Sequence, residues 1–358
     1  MSSSYNVLIM GASYGSLLGT KLLLAGHAVT LVCTAGTAAT INEKGTEVRL
    51  PVRGRDELVP VFSKDLSASL TAATPENVNP SDYDLVVLGM SEPQYGFSDV
   101  RDLLDRVAVA KVPAMAIMNM PPLPYLHRLP GLDANLLLEC FTEPDVWKNF
   151  EPGLVTLASP DPQAFRPPEE DKNVLQVSLP TNFKVARFES DAHTEMLREI
   201  ERGIEAVDFP VAEGTTKLPV KLKVYDSLYV PLAKWSMLVT GNYHCVQEDD
   251  MRAIKDAVHA DVAESEACYQ WVVDLCVKLG ASVEDMVPFE KYANAAKGLT
   301  KPSSGARALF GGAANIERVD LLVQKIGNQQ GMQLAALDQT VEFVTNRLAI
   351  NREARKAS

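Results

Sequence analysis

The stretch that most constrains this chain is Tyr5–Gly26, YNVLIMGASYGSLLGTKLLLAG, which reads as strand, glycine turn and helix in immediate succession. Val7, Leu8 and Ile9 form an unbroken apolar run, as in a strand covered on both faces. Gly11 permits a sharp turn, Ser16–Leu24 carries apolar residues at helical spacing, and Gly26 stands where a helix-ending glycine belongs. A second apolar run, Ala28–Val32, follows at once. The unit is β-turn-α-β, and the start of its helix is a place for a phosphate. The spacing departs from G-x-G-x-x-G, with Gly11, Ser13 and either Gly15 or Ser16 in its three places. On this reading Gly11, Ala12, Ser13, Tyr14, Gly15 and Ser16 line the phosphate-binding turn of a dinucleotide site. Two other readings compete. The turn can serve only to pack a helix on a strand. Alternatively, Gly11–Gly15 is the G-x-S-x-G elbow of a serine hydrolase, with Ser13 as nucleophile. Such an elbow follows several strands, and only ten residues precede this one.

A chain of 358 residues has room for two domains with separate cores. Its formal charge of −12 argues against nucleic acid or an anionic membrane as the main partner. Five scattered cysteines without a C-x-x-C suggest reduced thiols, not a disulfide frame or a zinc site. The opening MSSSYNV has no basic region ahead of an apolar one, and no apolar run approaches ~20 residues. A soluble, cytoplasmic protein is expected.

The segment after the second strand, Cys33–Thr37, chooses between nicotinamide cofactors in such folds. It holds neither an acid for ribose hydroxyls nor an arginine for a 2′-phosphate, and Thr34 and Thr37 can serve as cofactor contacts or as a helix cap. Glu47–Gly54 and Leu58–Ser63 read as a hairpin. Leu85–Leu88 and Val112–Met118 read as buried strands, the first running into Ser91 and Gln94, the second into Asn119. Asn119 suits a hydrogen bond to a nicotinamide ribose or a substrate, and equally suits a turn. Ser98–Val109 reads as a helix with Ser98 as its cap. Leu136–Phe188 reads as short strand-like pieces among prolines, and His193–Val207 as a helix. A dinucleotide-binding domain over 1–208, a join over 209–223 and a helical domain over 224–358 are expected. Helices are expected at Ser227–Thr240, Glu248–Leu279, Ser282–Ala296 and, with breaks, Ile316–Asn351, and a frayed tail at Asn351–Ser358.

With both halves read, the chain resembles the ketopantoate reductase family. Gly15–Gly19 and Ala25–Val32 look like that family's first helix and second strand. Met118-Asn119-Met120 sits where the family has an asparagine-glycine loop, and Gln94 where it has a cofactor-side glutamine. Trp235-Ser236-Met237-Leu238 resembles its W-x-K-L, Lys301–Ser304 its P-S-S loop, and Glu317–Asp320 its E-I-D motif with one residue of slippage. The resemblance implies an α/β fold: a Rossmann-type doubly wound sheet followed by an all-helical domain similar to the C-terminal domain of 6-phosphogluconate dehydrogenase. It also implies an NAD(P)-dependent reductase and, by family habit, a homodimer. Ser304 and Glu317 match family substrate contacts, with Arg318 competing for Glu317's place.

The departures dismantle the pantoate-forming site. The family's catalytic lysine falls on Met237, and the asparagines that follow it fall on Gly241 and Cys245. The 2′-phosphate arginine falls on Thr34 and a lysine near the cofactor on Ser91, which tips the choice of NAD or NADP toward NAD. A proton donor must then come from elsewhere. At α-helical geometry position 244 lies only about 20° round from 237 and roughly 10 Å along the axis, and position 234 about 60° round. His244 and Lys234 are therefore the candidate donors, with Asn242 as a further polar group. The expectation is hydride transfer to or from a small ketone or alcohol other than ketopantoate, bound against Asn119 and the Trp235 helix. The rival is a cofactor-binding sensor that has lost turnover.

Overall fold

The computed structural model describes residues 4–212 and 214–357. The chain forms two compact units, the first running through Met90 with Gln94–Tyr125 and Asp145–Asp226, the second holding Ser91–Pro93, Leu126–Pro144 and everything from Ser227 onward.

The strands of the first unit are β1 (Asn6–Met10), β2 (Ala28–Val32), β3 (Glu47–Leu50), β4 (Val59–Phe62), β5 (Leu70–Ala73), β6 (Leu85–Leu88) and β7 (Ala114–Ile117). They continue with β8 (Val155–Ser159), β9 (Gln163–Phe165), β10 (Val174–Leu179), β11 (Phe183–Ala186), β12 (Phe209–Val211), β13 (Gly214–Thr216) and β14 (Leu222–Tyr225). Among the described residues one sheet has the order β14-β11-β8-β7-β6-β1-β2-β5, parallel throughout except where β11 meets β8. β1 is its pivot, since β2 lies on one side and β6 on the other, which makes the end of β1 the switch point of an α/β sheet. Val7–Met10 are fully buried, as the unbroken apolar run requires.

A second sheet, β4-β3-β10-β9, shares its core with the first: Val48, Leu50, Val61, Leu175 and Val177 join Val7, Ile9, Leu17 and Leu18 in one apolar cluster. The helix α1 (Tyr14–Leu24) is consequently buried all along Gly15–Leu23. The other helices of this unit are α2 (Ala35–Lys44), α3 (Ser98–Ala110), α4 (Leu123–Leu126), whose last residue falls in the second unit, and α5 (Asp191–Ala206). In the second unit follow α6 (Lys234–Met237), α7 (Ile254–His259), α8 (Val262–Lys278), α9 (Phe289–Ala296), α10 (Ser304–Phe310), α11 (Val319–Gln329) and α12 (Ala335–Ala357). None of the described helices is long and apolar enough to cross a membrane.

The expected hairpin is β3–β4. Other expectations need correction. Residues 209–223 are not an irregular join: they hold the β12–β13 ladder and the start of β14, whose Leu222 and Val224 pair with Phe183 and Val185. The stretch before β8 winds into 3₁₀ turns at Ala134–Cys140, Pro144–Trp147 and Pro152–Leu154, since its prolines suit helix starts better than ladders. Ser98 is the first helical residue of α3, not its cap; Phe97 takes that place and the Ser98 hydroxyl bonds Asp99. The expected helix over 248–279 is split at Asp261, whose side chain caps α8 through the Glu264 amide at 2.9 Å. The tail does not fray at Asn351, because its amide donates to the carbonyls of Leu309 and Ala313 and α12 runs on to Ala357.

The helix expected at Ser227–Thr240 has three windings: 3₁₀ over Val230–Ala233, α6, then a π-helix over Leu238–Tyr243. Tyr292 packs against the last. Its hydroxyl donates to the Met237 carbonyl at 3.0 Å, an oxygen with two lone pairs that an α-helix would offer to the Gly241 amide. A Cβ on Gly241 would lie 1.9 Å from the Tyr292 oxygen, so glycine is required there by space.

Two expected outcomes follow. Gly241→Ala should lower unfolding free energy by about 1–3 kcal/mol through overpacking, and should cost less in a Tyr292→Phe background; urea unfolding of the double-mutant cycle checks this. Lys21 is buried against the Leu218 and Pro219 carbonyls, and burial, aided by the charge of Lys221, pulls its pKa from 10.5 to about 8. The unfolded chain therefore binds the extra proton between about pH 8 and 10.5, and stability conferred through this site rises with pH across that window. Measured against Lys21→Met, the wild type should gain up to about 1.4 kcal/mol per pH unit there and show no relative change below it.

Candidate functional site

In the first unit the carboxyl ends of β2, β1, β6 and β7 lie side by side, and each emits one of the expected groups. Thr34 follows β2, the glycine turn follows β1, Gly89–Met90 follow β6, and half-buried Asn119 follows β7. Gly11 sits at φ +104, a conformation that favours glycine, and its amide donates to the Val32 carbonyl at 2.9 Å. A Cβ there would lie 2.7 Å from the Met90 side chain and 2.9 Å from the Gly89 carbonyl. Gly15 is the second close approach: its Cβ would lie 2.6 Å from Ile9, so its absence lets α1 settle on β1. Gly15 is thus a packing glycine, and buried Ser16 donates to the Ala12 carbonyl at 2.5 Å.

Exposed Ser13 stands at the head of α1 with no side-chain cap bond, and half-buried Tyr14 donates to the Pro160 carbonyl at 3.3 Å. Backbone strain in this turn falls on Gly11, while Ser13 has φ −84, so the strained serine of a nucleophile elbow is not what the turn presents. Sequence reasoning missed Arg166. It follows β9, and its guanidinium donates to the Ala12 carbonyl at 3.0 Å. Gln94 is exposed in this unit; Ser91, also exposed, belongs to the second.

In the second unit, Asn242, Ser303 and Glu317 are drawn together around Tyr243. Ser303 caps α10 and donates to the Asn242 carbonyl at 2.7 Å, leaving Ser304 exposed as the first helical residue. The Tyr243 hydroxyl donates to the Glu317 carbonyl and accepts from the Val319 amide at 3.1 Å; burial pushes its pKa well up. The Glu317 carboxylate accepts from the Glu92 amide at 3.3 Å. Arg318, by contrast, is committed to fully buried Asp320 through three bonds of 3.0–3.3 Å and to Thr345. Of the two residues that compete for one place in the motif, Arg318 is thus held by Asp320 and Thr345, and Glu317 meets the Glu92 amide.

Half-buried Lys234 opens α6, three residues ahead of Met237. His244 takes a different course from the one α-helical arithmetic gives, because the π-helix intervenes. It lines a cavity of about 460 Å³ with Val246, Arg252, Glu264, Thr340 and Phe343, and Met237, Ser304 and Glu317 are not part of that lining. Burial, then the charge of Arg252, lowers its pKa against the opposing pull of Glu264.

No protein-family model matches the chain, and no curated protein matches it. Solved structures do. A 2-dehydropantoate 2-reductase from Methylococcus capsulatus superposes with a TM-score of 0.67 at 13% identity, over 97% of each chain. A D-mandelate dehydrogenase solved with NADH and anilino(oxo)acetate gives 0.63 at 14% identity, over 97% of this chain and 99% of the other. A dimeric ketopantoate reductase from Staphylococcus aureus gives 0.60 at 10% identity, over 97% and 99%. At these identities the likeness is one of architecture, and it extends over nearly the whole chain: the protein has the fold of the ketopantoate reductases.

Proposed function

We propose that this chain is an NAD(P)-dependent oxidoreductase acting on a small keto or hydroxy compound other than ketopantoate. The observation that carries the reading is the turn after β1: a left-handed Gly11 at the sheet's switch point, followed by a helix whose first amides face a place for a pyrophosphate. The residues fit a dinucleotide. Two glycines hold the turn close to its neighbours, and a cation, Arg166, stands beside it. When bound, the nicotinamide supplies or accepts the hydride, which the side chains cannot do.

The chain's own groups then hold and protonate. Gly11–Ser16 hold the phosphates, Thr34 and Gln94 border the cofactor, and Asn119 offers an amide to a ribose hydroxyl or to the substrate. Ser304, Glu317 and Asn242 are the substrate-side polar groups of the helical unit. With Met237 in the lysine place and His244 in its own cavity, Lys234 is the group to which we assign the proton transfer. The D-mandelate dehydrogenase bound to NADH and an oxo-acid derivative supports 2-oxo acids as a substrate class to try first. The dimeric S. aureus relative supports a homodimer. Scattered thiols favour a cytoplasmic setting.

One observation favours the sensor reading instead: the Tyr292 hydroxyl occupies the space of an asparagine at 241. A single set of measurements separates the two. Fluorescence titration with NADH and NADPH should show binding, and a panel of 2-oxo and 2-hydroxy acids should show turnover of the nicotinamide. Lys234→Met should then lower kcat by about 10²–10⁴-fold with dinucleotide affinity unchanged. Binding without turnover of any substrate would establish the sensor, and no binding of either cofactor would overturn both.

A further inference from the structure

We propose that Arg166 is the residue that holds the 2′-phosphate of NADP, replacing from a distant segment the cation that is missing after β2. The inference rests on the reading of the β1 turn as a dinucleotide site and adds which dinucleotide it takes.

The geometry places the side chain at the right corner of the sheet. The β9–β10 hairpin belongs to the second sheet, and its β9 strand ends at Phe165. The next residue, Arg166, donates from Nη2 to the Ala12 carbonyl at 3.0 Å, while the Tyr14 hydroxyl holds the carbonyl of Pro160 just ahead of β9. The 160–166 segment is thus pinned to the glycine turn at both ends. Arg166 is also close enough to Cys33 for their charges to interact: burial pushes the Cys33 thiol up to about 11, and Arg166 pulls it the other way. Cys33 is the first residue beyond β2, on the side of the turn where the adenosine ribose is read. Gly11, next to Ala12, donates its amide to the Val32 carbonyl at the end of β2 at 2.9 Å, so the guanidinium stands where the turn after β1 meets the end of β2.

Among the described residues no carboxylate answers its charge. Arg49 is paired with Glu47 and Glu170, and Arg318 with Asp320, but among the described residues Arg166 has no carboxylate, only the Ala12 carbonyl. It is half-buried, and burial lowers its pKa. A desolvated cation without a counter-ion is costly, and in a chain of net charge −12 the absence of a neighbouring acid leaves its remaining N–H donors for an anion from outside. There is room for one. Thr34, Ala35 and Gly36 are exposed, a Cβ on Gly36 would meet nothing, and the first turn of α2 carries no acid. The hydroxyls of Thr34 and Thr37 bond each other at 3.1 Å at that helix start. A site for an unmodified ribose would want a carboxylate here, whereas this one offers a guanidinium and hydroxyls.

Isothermal titration with ADP-ribose and its 2′-phosphate isolates the contact, because the two probes differ only in that phosphate and neither needs turnover. Wild type should bind the 2′-phosphate form at least about tenfold more tightly. Arg166→Ala should erase that preference by weakening the 2′-phosphate form at least about tenfold more than ADP-ribose, and Arg166→Lys should retain part of it. Arg166→Gln, which keeps a donor for the Ala12 carbonyl, should lose the preference too, and covers the case in which the alanine variant fails to fold. Equal wild-type affinity for the two probes would overturn the assignment while sparing the dinucleotide reading, as would a loss on Arg166→Ala that is the same for both. No binding of either probe would overturn both.

Discussion

The first unit depends on one close approach: α1 lies directly on β1 because Gly15 carries no side chain to hold it off Ile9. Helix and strand at that separation bury Val7, Ile9, Leu17 and Leu18 in a common core, and the β3–β10 sheet closes over the same cluster. A helix covered on both sides has little freedom, so its amino end is fixed in place by packing and not by a cap; Ser13 makes no capping bond at all. The orphan amides of the first turn are therefore presented at the switch point of the sheet by apolar burial alone. In the proposed dinucleotide site, a turn held this way is ordered before any ligand arrives, which lowers the ordering cost of binding.

The second unit is organised by polar burial. Asp320 has no solvent exposure, and its charge is tolerable because Arg318 forks onto it. Tyr243 then ties the end of the π-helix to the same segment, bonding the backbone on both sides of Arg318. These bonds fix Glu317 and the start of α11 with respect to the helix that carries Met237. The same holds beside the π-winding at Leu238–Tyr243: Tyr292 needs a partner for its hydroxyl in a buried place, and a helix carbonyl next to a glycine supplies it.

What was legible in the sequence was whatever is decided locally. The β1-turn-α1-β2 unit, the β3–β4 hairpin and α5 follow from runs, periods and glycines within a few residues. Edge strands such as β14 were not legible, since Pro219 and the lysines beside it mask a short strand that forms only because β11 offers a free edge. Nor was the π-helix, because Tyr292, which packs against it, lies 55 positions from the carbonyl it bonds. The motif register was open between Glu317 and Arg318, and nothing in the sequence showed the fork that holds Arg318 on Asp320. The 100° step used to place His244 belongs to an α-helix, and the π-winding just before it changes that step.

Arg166 shows why a comparison of motifs understates what such a chain can do. Reading position by position finds Thr34 where a cation belongs and concludes that the charge is gone. Electrostatics has no such rule. A guanidinium on a long stem reaches the same volume from any element whose backbone passes nearby, and the β9–β10 hairpin passes over the turn after β1. What selection of a ligand requires is charge, donors and space at one point. The element that supplies them is incidental. The same reasoning applies to the proton donor: losing the lysine at 237 removes a side chain from one turn of one helix, and Lys234, on the neighbouring turn, can meet the chemical demand only if its ammonium reaches the same oxygen.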